Sequence, residues 1–239
     1  MQHQESLPQQ CATCPVRSHG APVCWRELQA QRAILEARGV PRRLAPGEVL
    51  YRQGDPARGW WLVRRGQVLE YVVDRAGREQ IVRIAPAGSV CGLSGLGSTS
   101  AHWATARAGR RGADVCFVSR ERAERLAEEN PAIFHALMAG LAEEIRMAYH
   151  MLHGLSMLPT RSAIAQVLLS AAECTDRGES VITLSRSEIA SMVGVAPETV
   201  VRVLGEFRAA GLIGDRGRSR IMLLDPCGLH AVAEGLDGG

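Results

Sequence analysis

A change in hydrophobic period near residue 119 restricts the fold of this chain more than any other feature. From about 40 to 118 the apolar residues come in short runs: Val49-Leu50-Tyr51, Trp60-Trp61-Leu62-Val63, Val68 to Val73, Ile81-Val82-Arg83-Ile84 and Val115-Cys116-Phe117-Val118. Gly, Pro and Asp separate them, which predicts an all-β barrel or roll. Beyond 119 the spacing is helical. Ser119 caps a short predicted helix, and Pro131 opens a longer one. In the longer helix Met138, Leu141, Ile145, Ala148, Leu152 and Leu155 recur at intervals of 3, 4, 3, 4 and 3. Heptad spacing of this kind makes a coiled-coil seam and predicts self-association; an ordinary core-facing stripe is the alternative. Pro159 ends the helix. The expected class is therefore α+β, with a Cys-rich segment over 1–25, a β-domain over 26–130 that opens with a short amphipathic helix at 26–39, a dimerisation helix over 131–158 and a C-terminal domain over 159–239.

The C-terminal domain reads as a helix, a short strand, two helices and a small β-wing. Ser185 with Glu188 forms a capping-box pattern, Gly194 supplies a turn, and Ala196 or Pro197 opens the next helix. Helix, glycine-containing turn and helix make a helix-turn-helix, whose second helix presents its N-terminal side chains to the major groove of DNA. Arg202 suits bidentate bonding to guanine, and Glu198 suits the amine of cytosine. Glu198 and Arg202, four apart, share a face and also suit a plain ion pair. Arg186, Ser187, Thr199, Arg216, Arg218 and Arg220 are the expected phosphate contacts. Overall charge argues little here: the net value is +3, all basic side chains are Arg, and residues 160–239 carry eight Arg against ten Asp and Glu.

No apolar run reaches the length of a membrane helix, and the first residues lack the pattern of a signal peptide, so the expected location is the cytosol, with no membrane partner. The histidines at 19, 102, 135, 150 and 153 are scattered and form no nucleophile–base set, and Gly92-x2-Gly95-x-Gly97 does not precede a helix. An enzyme is not expected. Seven cysteines, at 11, 14, 24, 91, 116, 174 and 227, exclude a fully paired disulfide framework and point to metal, redox chemistry or core packing. Cys11, Cys14 and Cys24 cluster, while Cys116 is distant; three near thiolates and one far one suit an iron–sulfur cluster, and Cys₄ zinc has similar spacing. Cys91 is the other candidate for the distant ligand. Cys174 and Cys227 read as small core hydrophobes.

The segment LSRSEIASMVGVAPETVVRVLGEFRAAGLI resembles the DNA-binding domain of the CRP/FNR superfamily of bacterial regulators. YRQGDPARGWWLVRRGQVLEYVVDRAGREQIVRIAPAGSVCG resembles that family's cyclic-nucleotide-binding-type β-roll. The resemblance covers about 26–235. It implies a winged helix-turn-helix, a homodimer on a palindromic double-stranded DNA site and RNA polymerase as a partner. The FNR branch reads TTGA-type half-sites through E-x2-S-R, and here Val201 stands at the serine. The cysteines resemble those of oxygen-sensing FNR proteins, which implies a 4Fe–4S cluster on Cys11, Cys14, Cys24 and Cys116, with zinc or reversible thiol chemistry as the alternative. Nucleotide-binding members carry a Glu soon after a Gly and an Arg followed by a hydroxyl residue. Here Ser89 follows Gly88, and Arg107 comes late with no hydroxyl after it, so a cyclic nucleotide is not the expected effector.

Overall fold

The computed structural model describes residues 39–96, 101–135, 137–138, 141–142, 145–146, 148–149, 158–174, 179–215 and 220–235. They fall in two compact units, one on either side of residue 150. All but the last residue of the helix predicted at 26–39, together with Cys11, Cys14, Cys24, Leu152, Leu155, Arg216 and Arg218, lie outside the described residues.

The first unit is a roll of six strands: β1 (Val40–Leu44), β2 (Val49–Tyr51), β3 (Gly59–Val73), β4 (Glu79–Pro86), β5 (Val90–Cys91) and β6 (Thr105–Ser119). Their order is β1-β6-β3-β4, with β2 on β6 and β5 on β3, all antiparallel. The two sequence runs at 60–63 and 68–73 belong to one 15-residue strand, because charged residues between them do not interrupt pairing. Register shifts do occur there. Gly66 is held at φ 71, and a Cβ on it would come within 2.3 Å of the Gly112 carbonyl oxygen. Only glycine tolerates both the left-handed backbone and the approach.

Alternation along the strands builds two cores. Trp60, Leu62, Cys116 and Val118 face one way. They pack with Ala123 and Leu126 of α1 (Arg120–Glu129) and with Ile133 and Leu137. Val63, Ala113 and Val115 face the other way, with Leu44, Leu50, Tyr51 and Cys91. Ser119 caps α1 by accepting from the Arg122 N–H, and Asn130 accepts from the Ala132 N–H at the start of the next helical stretch. Every described residue between 131 and 149 is helical. This stretch has a second apolar face: Phe134, Met138, Ile145 and Tyr149 are exposed, Tyr149 by 68%. Of the predicted seam, Met138, Ile145 and Ala148 are exposed, while Leu141 leans on the core of its own roll.

The second unit holds α2 (Thr160–Ser170), β7 (Glu173–Cys174), β8 (Ser180–Ile182), α3 (Arg186–Val193), α4 (Pro197–Ala209), β9 (Ile213–Asp215), β10 (Ile221–Leu223) and α5 (Pro226–Ala233). The sheet order is β7-β8-β10-β9, so the wing hairpin continues a four-stranded sheet. The sequence reading missed α5, which Asp225 caps by accepting from the Gly228 N–H at 2.9 Å. It also placed Cys227 in the core. Cys227 is exposed, because the second position of α5 lies away from the Leu229–Val232 face that packs inward.

Candidate functional site

α3 begins with the expected capping box. Ser185 Oγ accepts from the Glu188 N–H at 3.1 Å, and Glu188 Oε2 accepts from the Ser185 N–H at 2.7 Å. Two orphan backbone donors are thereby satisfied. Gly194 ends α3 in the left-handed region, and Pro197 occupies the first turn of α4, where its missing N–H costs nothing. α4 then divides into two faces. Val200, Val203, Leu204 and Phe207 are buried and fix the helix on its unit; Glu198, Val201, Arg202 and Glu206 are exposed.

Arg202 does not pair with Glu198. Its Nη1 donates to Glu206 Oε1 at 2.6 Å, one turn further on. Glu206 also approaches Arg161 of α2 at 3.9 Å, and the Arg161 guanidinium lies over the Phe207 ring at 5.6 Å. Glu206 therefore sits between two cations, while Glu198 stays at the positive end of the helix dipole, where a carboxylate is favoured. Arg186 and Ser187 are exposed on the first turn of α3, Thr199 is half-buried on the first turn of α4, and Arg220 is exposed at the entry to β10. The sequence reading missed Glu206 and Arg161; the spacing of four between Arg202 and Glu206 was the available signal.

In the roll, Cys116 and Cys91 lie on opposite faces of the sheet. Leu62 pairs with Cys116 and its neighbour Trp61 with Cys91, so alternation separates the two thiols. Cys116, 1% exposed, lies in the apolar core shared with α1, Ile133 and Leu137. Cys91 lies in the inner core beside a polar network that the sequence reading did not find. There Glu70 accepts from the Tyr51 hydroxyl, from Arg83 Nη1 at 2.7 Å and from the Gly92 N–H at 3.2 Å. Arg83 Nη2 also donates to the Val90 carbonyl at 2.6 Å. The His102 ring stacks on Tyr51 at 3.8 Å and meets Ser94 Oγ through Nδ1 at 2.9 Å. Burial alone raises the Glu70 carboxyl, but the Arg83 charge and these hydrogen bonds outweigh it and hold the carboxyl below its ordinary value. Burial pushes the Tyr51 hydroxyl well up and lowers His102. The signal in the sequence was one charge inside each of two apolar runs, Glu70 and Arg83. Arg107 is engaged by Glu79 at 2.6 Å and lies over the Tyr71 ring. Ser89 is buried and donates to the Pro86 carbonyl.

The family described as "Cyclic nucleotide-binding domain" matches residues 41–130, and the "Crp-like helix-turn-helix domain" matches 162–232. "Transcriptional activator protein anr" of Pseudomonas aeruginosa is 33% identical over 96% of this chain and 95% of its own. The chain belongs to the CRP/FNR family of transcription regulators. Also similar to this family member are "Transcriptional activator protein FnrA" of Stutzerimonas stutzeri, 34% identical over 81% of this chain and 80% of its own, and the structure of FixK2 from Bradyrhizobium japonicum. The latter has a TM-score of 0.71 and 27% identity, covering 81% of this chain and 96% of that one. CRP/FNR-family membership makes the chain a DNA-binding regulator with a cyclic-nucleotide-type roll and a helix-turn-helix.

Proposed function

We propose that this regulator is a cytoplasmic homodimer that senses oxygen or redox state through an iron–sulfur cluster, reads a palindromic TTGA-like site and acts on RNA polymerase. The observation that carries the sensing part is the cysteine set, with Cys116 buried on the sheet face that α1 and the 131–149 stretch share. A thiolate in so apolar a setting is stable only when a metal shares its charge, and the donor chemistry suits iron bound by sulfur. Cys91 is the poorer candidate, since the next residue, Gly92, donates its N–H to the Glu70 carboxylate and so places a negative charge nearby. Cys11, Cys14, Cys24 and Cys116 would hold the cluster, here of the 4Fe–4S type, and it would supply an oxygen-labile link between the N-terminal thiolates and the roll. Cys116 would fix the link to the core against which Ile133 and Leu137 pack. The exposed Phe134, Met138, Ile145 and Tyr149 supply an apolar face for a second copy. A link that favours one dimer geometry over another shifts the population toward the DNA-competent form.

Purification without oxygen tests the cofactor. The expected product is brown, bleaches in air, and loses its visible absorption in a Cys116→Ser variant while Cys91→Ser retains it. A colourless protein with stoichiometric zinc would replace this reading with a zinc sensor.

For DNA, Glu198, Val201 and Arg202 are the proposed base contacts; Arg186, Ser187, Thr199, Arg216, Arg218 and Arg220 hold phosphates. An Arg202→Ala variant is expected to lose about 1–3 kcal/mol of discrimination at one guanine per half-site, measured by competition between single-base variants of the site. Equal preference before and after the substitution removes that role.

A further inference from the structure

Phosphate neutralisation supplies much of the affinity of a DNA-binding protein, and its footprint is a cluster of Lys or Arg. In this chain the footprint is displaced. Residues 160–239, which hold the helix-turn-helix, are formally negative, while residues 39–135 carry fifteen Arg against ten Asp and Glu.

Several of those arginines meet at one corner of the roll. Gly66 pairs with Ala113 and Val68 with Ala108, so four residues of β6, 109–112, stand opposite the single residue Gln67. The excess chain in β6 carries Arg110 and Arg111, both exposed. Gly66 and Gly112 touch backbone to backbone, and a Cβ on Gly112 would lie 2.6 Å from the Leu44 carbonyl oxygen. These close approaches bring the end of β1 against the middle of β3 and the middle of β6, and with them the backbone of Arg43, Arg65, Arg110 and Arg111. Arg43 and Arg65 stand opposite the same residue, Asp114, from its two sides.

The corner already takes an oxyanion. Arg43 Nε donates to Asp114 Oδ1 at 2.9 Å, and the Arg43 side chain remains 83% exposed. That hydrogen bond, with the charges of Arg43, Arg65 and Arg64, holds the Asp114 carboxyl below its ordinary value. Arg42 is matched by Glu48 at 3.0 Å. Among the described residues Arg65, Arg110 and Arg111 make no close ion pair, although Asp114 feels the charge of Arg65. Three exposed guanidinium groups in one corner raise the local positive potential and attract a polyanion.

We propose that this corner, built from Arg43, Arg65, Arg110 and Arg111, is a second contact surface for the phosphate backbone of double-stranded DNA. It carries no sequence information. It adds to the electrostatic affinity of Arg186 and the wing arginines, whose unit is net negative, while the face of α4 supplies the readout.

The test uses the full-length protein and a long mixed-sequence duplex, with binding measured over a salt series. In a variant carrying R65Q, R110Q and R111Q together, the slope of log K against log salt becomes shallower by about 2–3 units for each protomer whose corner touches the duplex. The ratio of site-specific to mixed-sequence binding stays unchanged. The matched variant R65K, R110K and R111K retains the wild-type slope, because a phosphate accepts any point charge. A wild-type slope in the glutamine variant overturns the proposal, as does loss of slope in the lysine variant, which would make the arginines structural. Wild-type DNA binding by a glutamine variant that has lost retention on immobilised polyglutamate also overturns it, and assigns the corner to an acidic protein surface.

Discussion

An Arg83→Ala variant is expected to destabilise the roll by about 3–5 kcal/mol, because it leaves the Glu70 carboxylate buried without its counter-charge. The pair is well shielded, at 16% and 8% side-chain exposure, so water cannot take over. Tryptophan fluorescence reads the effect directly: Trp60, Trp61 and Trp103 lie in the roll, and residues 150–239 contain no tryptophan. Urea unfolding should show the midpoint lowered. A midpoint within the error of the wild type means that Glu70 takes up a proton or that water enters at little cost. The same network sets an acid limb. The folded Glu70 carboxyl lies below its ordinary value, so its contribution is fully present above the unfolded pKa of about 4.3. That contribution is lost as pH falls through the folded value. Glu70→Gln should flatten the acid limb relative to the wild type.

The second large effect is expected at the back of the reading helix. Phe207 is fully buried on the inner face of α4, and Phe207→Ala should cost about 3–5 kcal/mol through lost transfer energy and the cavity left behind. Helical circular dichroism followed through urea unfolding reports it, since this unit lacks tryptophan. Val201→Ala on the exposed face serves as the control and should leave stability within about 0.5 kcal/mol of the wild type. If Phe207→Ala unfolds like that control, the core beneath α4 can collapse around the gap, and orientation of Arg202 does not depend on this ring.

The two halves of the molecule were not equally readable. The helix-turn-helix was legible because its signals are local. A Ser185–Glu188 capping box, a glycine turn and a proline at the first helical position lie within thirteen residues, and each acts through its own backbone neighbours. α5 carried the same kind of signal, an Asp before a Pro with Gly three places after the Asp, and was overlooked. The roll was legible only as strands with turns. Where β3 runs on through Arg64 and Arg65, the period-two pattern breaks, and only pairing with β6 keeps the strand whole.

What the sequence determined by itself was the class of each half, the caps and turns of the reading helices, and the cysteine spacing from which sensing chemistry is inferred. The tertiary structure decided how distant residues combine. It joined Glu70 to Arg83, set Cys116 and Cys91 on opposite faces, gave Arg202 to Glu206 rather than to Glu198, and gathered arginines from three strands at one corner. The reason is physical. Helical spacing and caps act within a few residues, whereas side-chain partners across a sheet depend on register, and a shift of one residue sends every side chain to the other face.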